Sequence, residues 1–126
     1  VIERVDRGGG LVDGFAPGFD RRRLRALRRG EIPPEHELDL HGLRRDEARR
    51  ALRLALREAV SAGLRCVLVV HGRGARSEGG AILRQELPDW LGEPPLAAHV
   101  LAFAAADGRG GGATYVLLRR PAAARG

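Results

Sequence analysis

Two strand-like stretches of this chain end in the same titratable dipeptide, "ELDLHG" over 37–42 and "VVHGRG" over 69–74. In an extended strand, residues two apart project to the same face about 6.5 Å from one another. Asp39 and His41 therefore share one side, while Leu38 and Leu40 face the other. A carboxylate beside an imidazole holds the ring in one orientation and raises its pKa, as a general acid or base near neutral pH requires. His41 is the leading catalytic candidate; the structural alternative is an Asp39–His41 pair that merely caps a strand. Ligand crevices of open α/β sheets lie beyond the carboxyl ends of parallel strands. If the two strands are parallel neighbours, His41 and His71 should converge there.

The stretch "HGRGARSEGG" over 71–80 carries four glycines and two arginines ahead of a helix. Backbone N–H groups at a helix start, freed of side-chain bulk by Gly72 and Gly74, can cradle a phosphate while Arg73 and Arg76 neutralise it. No Gly-Lys-Ser/Thr follows, so this is not a Walker loop, and the glycine spacing does not match a dinucleotide-binding fingerprint. The plainer reading is a flexible linker with solvated arginines. A third glycine cluster, "DGRGGG" over 107–112, includes Arg109 and lets the backbone approach a ligand or a neighbouring loop. Tyr115, the only tyrosine, could stack on a base, although a place in or near the core suits it better. The arginines at 45, 49 and 53, with Arg50 and Arg57 beside them, could follow a nucleic-acid backbone or form a solvated helix face. His36 and His99 have no partner at useful spacing.

These residues need a frame. "HELDL" (36–40) alternates as a strand does, and 44–63 repeats Ala48, Leu52, Ala55, Leu56 and Ala59 at helical spacing before Gly63 stops it. "LRCVLVV" (64–70) is a continuous apolar run, as expected of a strand buried on both faces. Residues 80–92 carry Ile82, Leu83, Leu87, Trp90 and Leu91 in helical register, with Pro88 expected to kink the helix or open a second one. Residues 96–106 and 113–120 are two further strands, joined by so short a loop that they should pair antiparallel. The order βαβαββ implies an α/β fold, a mixed four-stranded sheet with helices packed mainly on one face. Ahead of it, Asp20 can cap a short basic helix within 20–34 that ends at Gly30 and Pro33-Pro34. Residues 1–19, with five glycines and a proline, have the composition of a mobile arm, and 121–126 of a frayed tail.

The 126 residues suit one domain, here expected over 35–120, with a core that needs neither disulfide nor structural metal. The lone Cys66 excludes an intrachain disulfide and a thiolate metal cluster, and inside "RCVLVV" it reads as a small buried hydrophobe. All 22 basic residues are Arg against 16 acids, a net charge of +6. A polyanion partner is therefore plausible, and every cation can grip phosphate bidentately. No apolar run approaches the roughly 18 residues of a transmembrane helix, and no signal-peptide pattern opens the chain, so a cytoplasmic protein without membrane contact is expected. Because the sequence starts at Val1, segments upstream would be invisible.

Together "LDLHGL" (38–43), "VVHGRG" (69–74) and "GGGATYVLL" (110–118) resemble the Smr (small MutS-related) domain family over roughly residues 35–120, and the lead-in "GFDRRRLRALRRGEIPPEHELDLHG" is similar to that of its free-standing bacterial members. The resemblance implies a two-layer βαβαββ sandwich similar to the C-terminal domain of bacterial translation initiation factor three. It also implies nuclease activity, with DNA nicking in some members and cleavage of messenger RNA at collided ribosomes in others. By position it places the family's DxH motif on Asp39 and His41, its HGxG motif on His71, Gly72, Arg73 and Gly74, and its late glycine motif on Gly111, Gly112, Ala113 and Thr114.

The leading expectation is thus an endonuclease on RNA or DNA, possible at the ribosome, with Asp39 orienting His41 and His71 as a second acid/base or phosphate ligand. Arg76 and Arg109 join the glycine motifs in holding the phosphate. On RNA two histidines could act without metal. On DNA water must attack, and a Mg or Mn ion bound through Asp39 would lower its pKa. The rivals are a non-catalytic module that docks on nucleic acid or a ribosome, and a small-molecule phosphate enzyme. A monomer is assumed.

Overall fold

A computed structural model describes residues 2–72 and 78–120. Six strands form one sheet in the order β1-β2-β5-β6-β4-β3: β1 (Glu3–Asp6), β2 (Val12–Phe15), β3 (His36–Asp39), β4 (Cys66–Val70), β5 (Val100–Ala105) and β6 (Ala113–Leu118). Three helices flank it: α1 (Arg21–Arg28), α2 (Arg45–Ser61) and α3 (Glu78–Leu91). β3 and β4 run parallel, and every other pairing is antiparallel. Among the described residues no helix is long and apolar enough to cross a membrane.

The expected strand–helix–strand unit comprises β3, α2 and β4. Glu47 accepts a hydrogen bond from the Arg44 backbone N–H at 3.0 Å, closing the first turn of α2. Ala48, Leu52, Leu56 and Ala59 then bury one stripe. They pack with Leu83, Leu87, Trp90 and Leu91 of α3 against Val67, Val69, Phe103, Val116 and Leu118 of the sheet. α3 continues through Pro88 without dividing into two helices. The expected strand over 96–106 begins only at Val100. Ahead of it Leu96–Ala98 forms a 3-10 turn, closed by the His99 N–H donating to the Leu96 carbonyl at 2.8 Å.

The arginine row of α2 is spent inside this layer. Arg45 pairs with Glu86 at 3.2 Å, and both Arg49 and Arg53 reach Glu93. These bonds tie α2 to α3 and the segment after it.

One expectation about the frame is overturned. The sheet has six strands instead of four, because residues 3–6 and 12–15 form a hairpin where a mobile arm was expected. Gly8, Gly9 and Gly10 all have positive φ and make its turn, so the glycines that suggested mobility are what folds the chain back. β2 then pairs with β5 through Gly14 opposite Phe103 and Phe15 opposite Ala102.

Within 36–118 the expected α/β arrangement holds, with α2 and α3 on one face of β3 to β6, and the lead-in helix adds cover on the other face. α1, capped by Asp20 accepting from the Arg22 N–H at 2.8 Å, presses Leu24 and Leu27 onto Cys66, Ala102, Ala104 and Leu117. Those side chains lie on the face opposite α2 and α3, so a third layer covers part of it. Small residues there let α1 sit close. Cys66 is fully buried, and burial raises its thiol pKa to about 11, leaving a small inert hydrophobe.

Asp13 joins the hairpin to the rest. This fully buried carboxylate accepts from Arg28 Nη2 at 2.5 Å and from the Ala105 N–H at 3.0 Å, and it pairs with Arg7 Nε at 3.1 Å. One side chain thereby connects β2, α1, β5 and the residue that follows β1.

Candidate active site

β3 is an edge strand whose ladder to β4 ends with Asp39 opposite Val70. The Leu40 N–H still donates to the Val70 carbonyl at 2.7 Å, and Leu40 is fully buried. The chain then turns, with Gly42 at φ +81°. His41 is held against the strand end by Asp39, whose Oδ1 accepts from the His41 backbone N–H at 3.0 Å and lies 2.6 Å from Nδ1. These hydrogen bonds, the one to the ring first, hold the Asp39 carboxyl below its ordinary pKa. An ionised carboxylate only accepts, so Nδ1 carries the proton and the neutral ring has its lone pair on Nε2. The two side chains are 68% and 50% exposed, so that lone pair is open to solvent and to a substrate.

Beside this pair lies an open hollow of about 360 Å³ lined by Val70, Gly72, Gly108, Arg109 and Gly112. Its walls are fixed by backbone hydrogen bonds. The His71 and Gly72 N–H groups both donate to the Gly112 carbonyl at 2.9 and 3.1 Å, and the Gly112 N–H donates to the Arg109 carbonyl at 3.0 Å. Of the candidates named from sequence, Asp39, His41, Gly72, Arg109 and Gly112 are thus gathered on one side of the sheet.

His71 is not among them. Side chains alternate along a strand, and since Asp39 is in register with Val70, the next residue of β4 points to the α3 side. His71 is 1% exposed there. Its Nε2 lies 3.1 Å from Thr114 Oγ1, and its Nδ1 lies 3.3 Å from the Gly72 carbonyl. Burial, reinforced by the charge of Arg84 and only partly offset by the Gly72 carbonyl, pushes its pKa down to about 4. The ring is neutral near pH 7, donating from Nδ1 to Gly72 and accepting the Thr114 hydroxyl. The expected convergence of the two histidines is therefore overturned by register.

Thr114, 6% exposed, is likewise turned into this contact and away from the hollow. Gly111 also faces the α3 side, where a Cβ would come within 3.0 Å of Arg84 Nη1. Arg73, Gly74 and Arg76 lie outside the described residues. Tyr115 is half-buried under the end of α1, where a Cβ on Gly30 would lie 2.7 Å from its hydroxyl.

Asp39 is a poor anchor for a divalent ion. Its Oδ1 is committed to His41, and among the described residues no group of three or more His, Cys, Asp or Glu gathers to hold a metal. Among the described residues the donor set does not fit a resident cation of the kind DNA hydrolysis would recruit. Sequence reasoning missed Val70 and Gly108 as walls of the hollow. The signal for Val70 was the alternation itself, which marks it as the residue beside Asp39 once the ladder register is known.

The Smr domain model matches residues 38–119. Among curated proteins the chain is 35% identical over 102 residues to the ribosome rescue factor SmrB of Yersinia pseudotuberculosis, covering 81% of this chain and 53% of that one. It is 36% identical over 109 residues to the SmrB of Escherichia coli O157:H7, covering 86% and 55%. The chain spans about half the length of these relatives. Among solved structures, YdaL, a stand-alone small MutS-related protein from Escherichia coli, superposes with a TM-score of 0.71 at 31% identity, over 87% of this chain and 84% of that one. The Smr domain of Thermus thermophilus MutS2 superposes with a TM-score of 0.57 at 35% identity, over 67% and 98%.

Proposed function

Since the chain belongs to the Smr domain family, we propose that it is an endonuclease that cleaves single-stranded RNA, acting in the setting that the name ribosome rescue factor gives its relatives. The observation that carries this reading is the exposed Asp39–His41 pair beside a glycine-walled hollow that contains Arg109. With His71 buried on the other face, His41 is the only imidazole that the hollow is offered from this strand end. A single base suits RNA better than DNA, because RNA supplies its own nucleophile.

In this mechanism His41 Nε2 takes the proton of a ribose 2′-hydroxyl. The freed oxygen forms a bond to the adjacent phosphorus as the bond from phosphorus to the 5′-oxygen breaks. Solvent in the open hollow protonates the leaving 5′-oxygen, and the imidazolium returns its proton to water. The products are a 2′,3′-cyclic phosphate and a 5′-hydroxyl. Asp39 keeps the ring in the required tautomer and favours the imidazolium as it forms. Arg109 offers its guanidinium to the non-bridging oxygens, where negative charge grows in the transition state. The bare backbone at Gly72 and Gly112 leaves room for the phosphate.

Incubation of the purified chain with end-labelled single-stranded RNA tests this. Cleavage that leaves 2′,3′-cyclic ends and persists in a metal chelator is expected. Salt-sensitive binding with no cleavage would instead establish a non-catalytic docking module, and ends bearing a 3′-hydroxyl would exclude the 2′-oxygen as nucleophile.

A further inference from the structure

We propose that the outward face of α1 is a track for the RNA backbone, leading a single strand into the hollow beside His41; the inference rests on the functional reading above. α1 and the hollow lie on the same side of the sheet. Cys66 and Val70 alternate to one face of β4, the first under α1 and the second in the hollow wall. The helix also ends at the hollow, because the Asp107 N–H donates to the Arg28 carbonyl at 2.9 Å. Asp107 opens the turn that carries Gly108 and Arg109.

Leu24 and Leu27 bury the inner side of α1. On an α-helix, residues 22, 25 and 29 fall at i, i+3 and i+7, on the side opposite those leucines. Arg22, Arg25 and Arg29 are all exposed there. They form a cationic stripe roughly 10 Å long. Among the described residues Arg22 and Arg25 make no side-chain ion pair, and Arg29 makes only a wide one of 3.9 Å to the exposed Glu31. On α2, by contrast, Arg45, Arg49 and Arg53 are consumed by Glu86 and Glu93, and only Arg50 and Arg57 stay exposed without an ion pair among the described residues.

The first turn of α1 holds no acidic residue, although the positive end of a helix dipole favours carboxylates and disfavours cations. Arg21 and Arg23 find compensation over the rings of Phe15 and Phe19, whereas Arg22 finds none. Arg25 and Arg29 lie at the negative end of the helix, which favours them, but the exposed stripe has almost no counter-charge of its own and adjoins the hollow, so it is matched by a polyanion. Single-stranded RNA is the one that the hollow would cleave.

The test compares the full chain with its R22Q/R25Q/R29Q variant, replacing exposed residues by a good helix former. The slope of log binding constant against log salt for a long single-stranded RNA should become shallower by about 2, three phosphate contacts at ~0.7 each, with affinity down about tenfold or more. Cleavage of a dinucleoside monophosphate, which reaches only the hollow, should be unchanged. An unchanged slope on RNA, or a loss seen only with DNA, overturns the track. The same loss in R50Q/R57Q, on the opposite layer, would also overturn it by reducing the effect to general charge. If the wild type cuts neither substrate while the α1 variant still loses its salt slope, the track stands and the nuclease reading falls. Should the triple variant misfold, Arg25→Glu alone must weaken RNA binding, and unchanged binding overturns the proposal.

Discussion

Asp39 and Val70 face each other across the parallel ladder of β3 and β4, and that pairing sends His71 to the opposite side of the sheet from His41. The two His-Gly endings are chemically alike but differently placed. One presents an imidazole to solvent beside a hollow, and the other buries an imidazole between Thr114 and the Gly72 carbonyl. Their consequences for activity and stability should therefore separate cleanly.

His41→Ala should lower RNA cleavage by at least about 100-fold, the low end for removing a positioned general base, and leave RNA affinity and thermal stability near wild type because the ring is exposed. Asp39→Asn should lower it by about 10- to 100-fold through loss of ring orientation. Hydrogen bonds from His41 hold the Asp39 carboxyl below its usual range, so it stays ionised as pH falls from neutrality toward pH 5. Asp39 therefore keeps its hold on the ring over that range, and the acid limb of the wild type should not be its own titration. Single-turnover cleavage against pH checks both variants, and full activity in His41→Ala would remove the pair from the chemistry.

His71 should govern acid stability instead. Its folded-state pKa is pushed down from 6.5 to about 4. Between those values the unfolded chain binds a proton that the folded chain does not, so stability falls as pH drops through this window, by on the order of 3 kcal/mol once both are crossed. Urea unfolding at several pH values should show this slope in the wild type. In His71→Gln, less stable at pH 7, the slope over the same window should be shallower. An unaltered slope would mean that another group carries it.

Much of the frame was legible because hydrophobic period reports burial directly. Ala48, Leu52, Leu56 and Ala59 announce α2, and "CVLVV" announces a strand covered on both faces. The side of the sheet on which His71 falls was not legible. It depends on whether Asp39 meets Val70 or His71, and shifting a ladder by one residue moves every side chain to the other face. The hairpin was hidden for a different reason: β1 and β2 have four residues each, too few to show a period, and their partner β5 lies far along the chain. Asp13 illustrates the loss, since it falls within the stretch that reads as a mobile arm and becomes a buried anchor only when Arg7, Arg28 and the Ala105 N–H arrive.

Replacing Asp13 by Ala should be among the most destabilising single changes in the chain. Removing it takes the only ion-pair partner from Arg28 among the described residues and leaves Arg7 with just the exposed Asp107 at 3.4 Å, although the two arginine side chains are only 22% and 17% exposed. Breaking a buried ion pair from one side typically costs 3–5 kcal/mol. Chemical denaturation should show a loss of about that size. Hydrogen exchange should show faster opening of β1 and β2 than of β4. A loss under about 1 kcal/mol would mean that the hairpin is held by its backbone ladder alone.

Gly14 offers the most direct test that the hairpin is built into the sheet. It pairs with Phe103 of β5, and a Cβ at this position would lie 2.2 Å from Phe103 Cε2 and 2.4 Å from Cζ. Phe103 is fully buried in the main core, so its ring cannot swing aside without disturbing the packing around it. Glycine inside a strand marks such a close approach. Gly14→Ala should therefore cost about 1–3 kcal/mol, the usual penalty for overpacking. Gly18→Ala is the control: nothing lies within 4 Å of its would-be Cβ, and only the backbone strain of its φ of +82° remains. Gly14→Ala should also move the Phe103 ring resonances and those of β5, whereas Gly18→Ala should leave them in place. Equal and local effects of the two substitutions would show that β2 does not pack on Phe103 in solution.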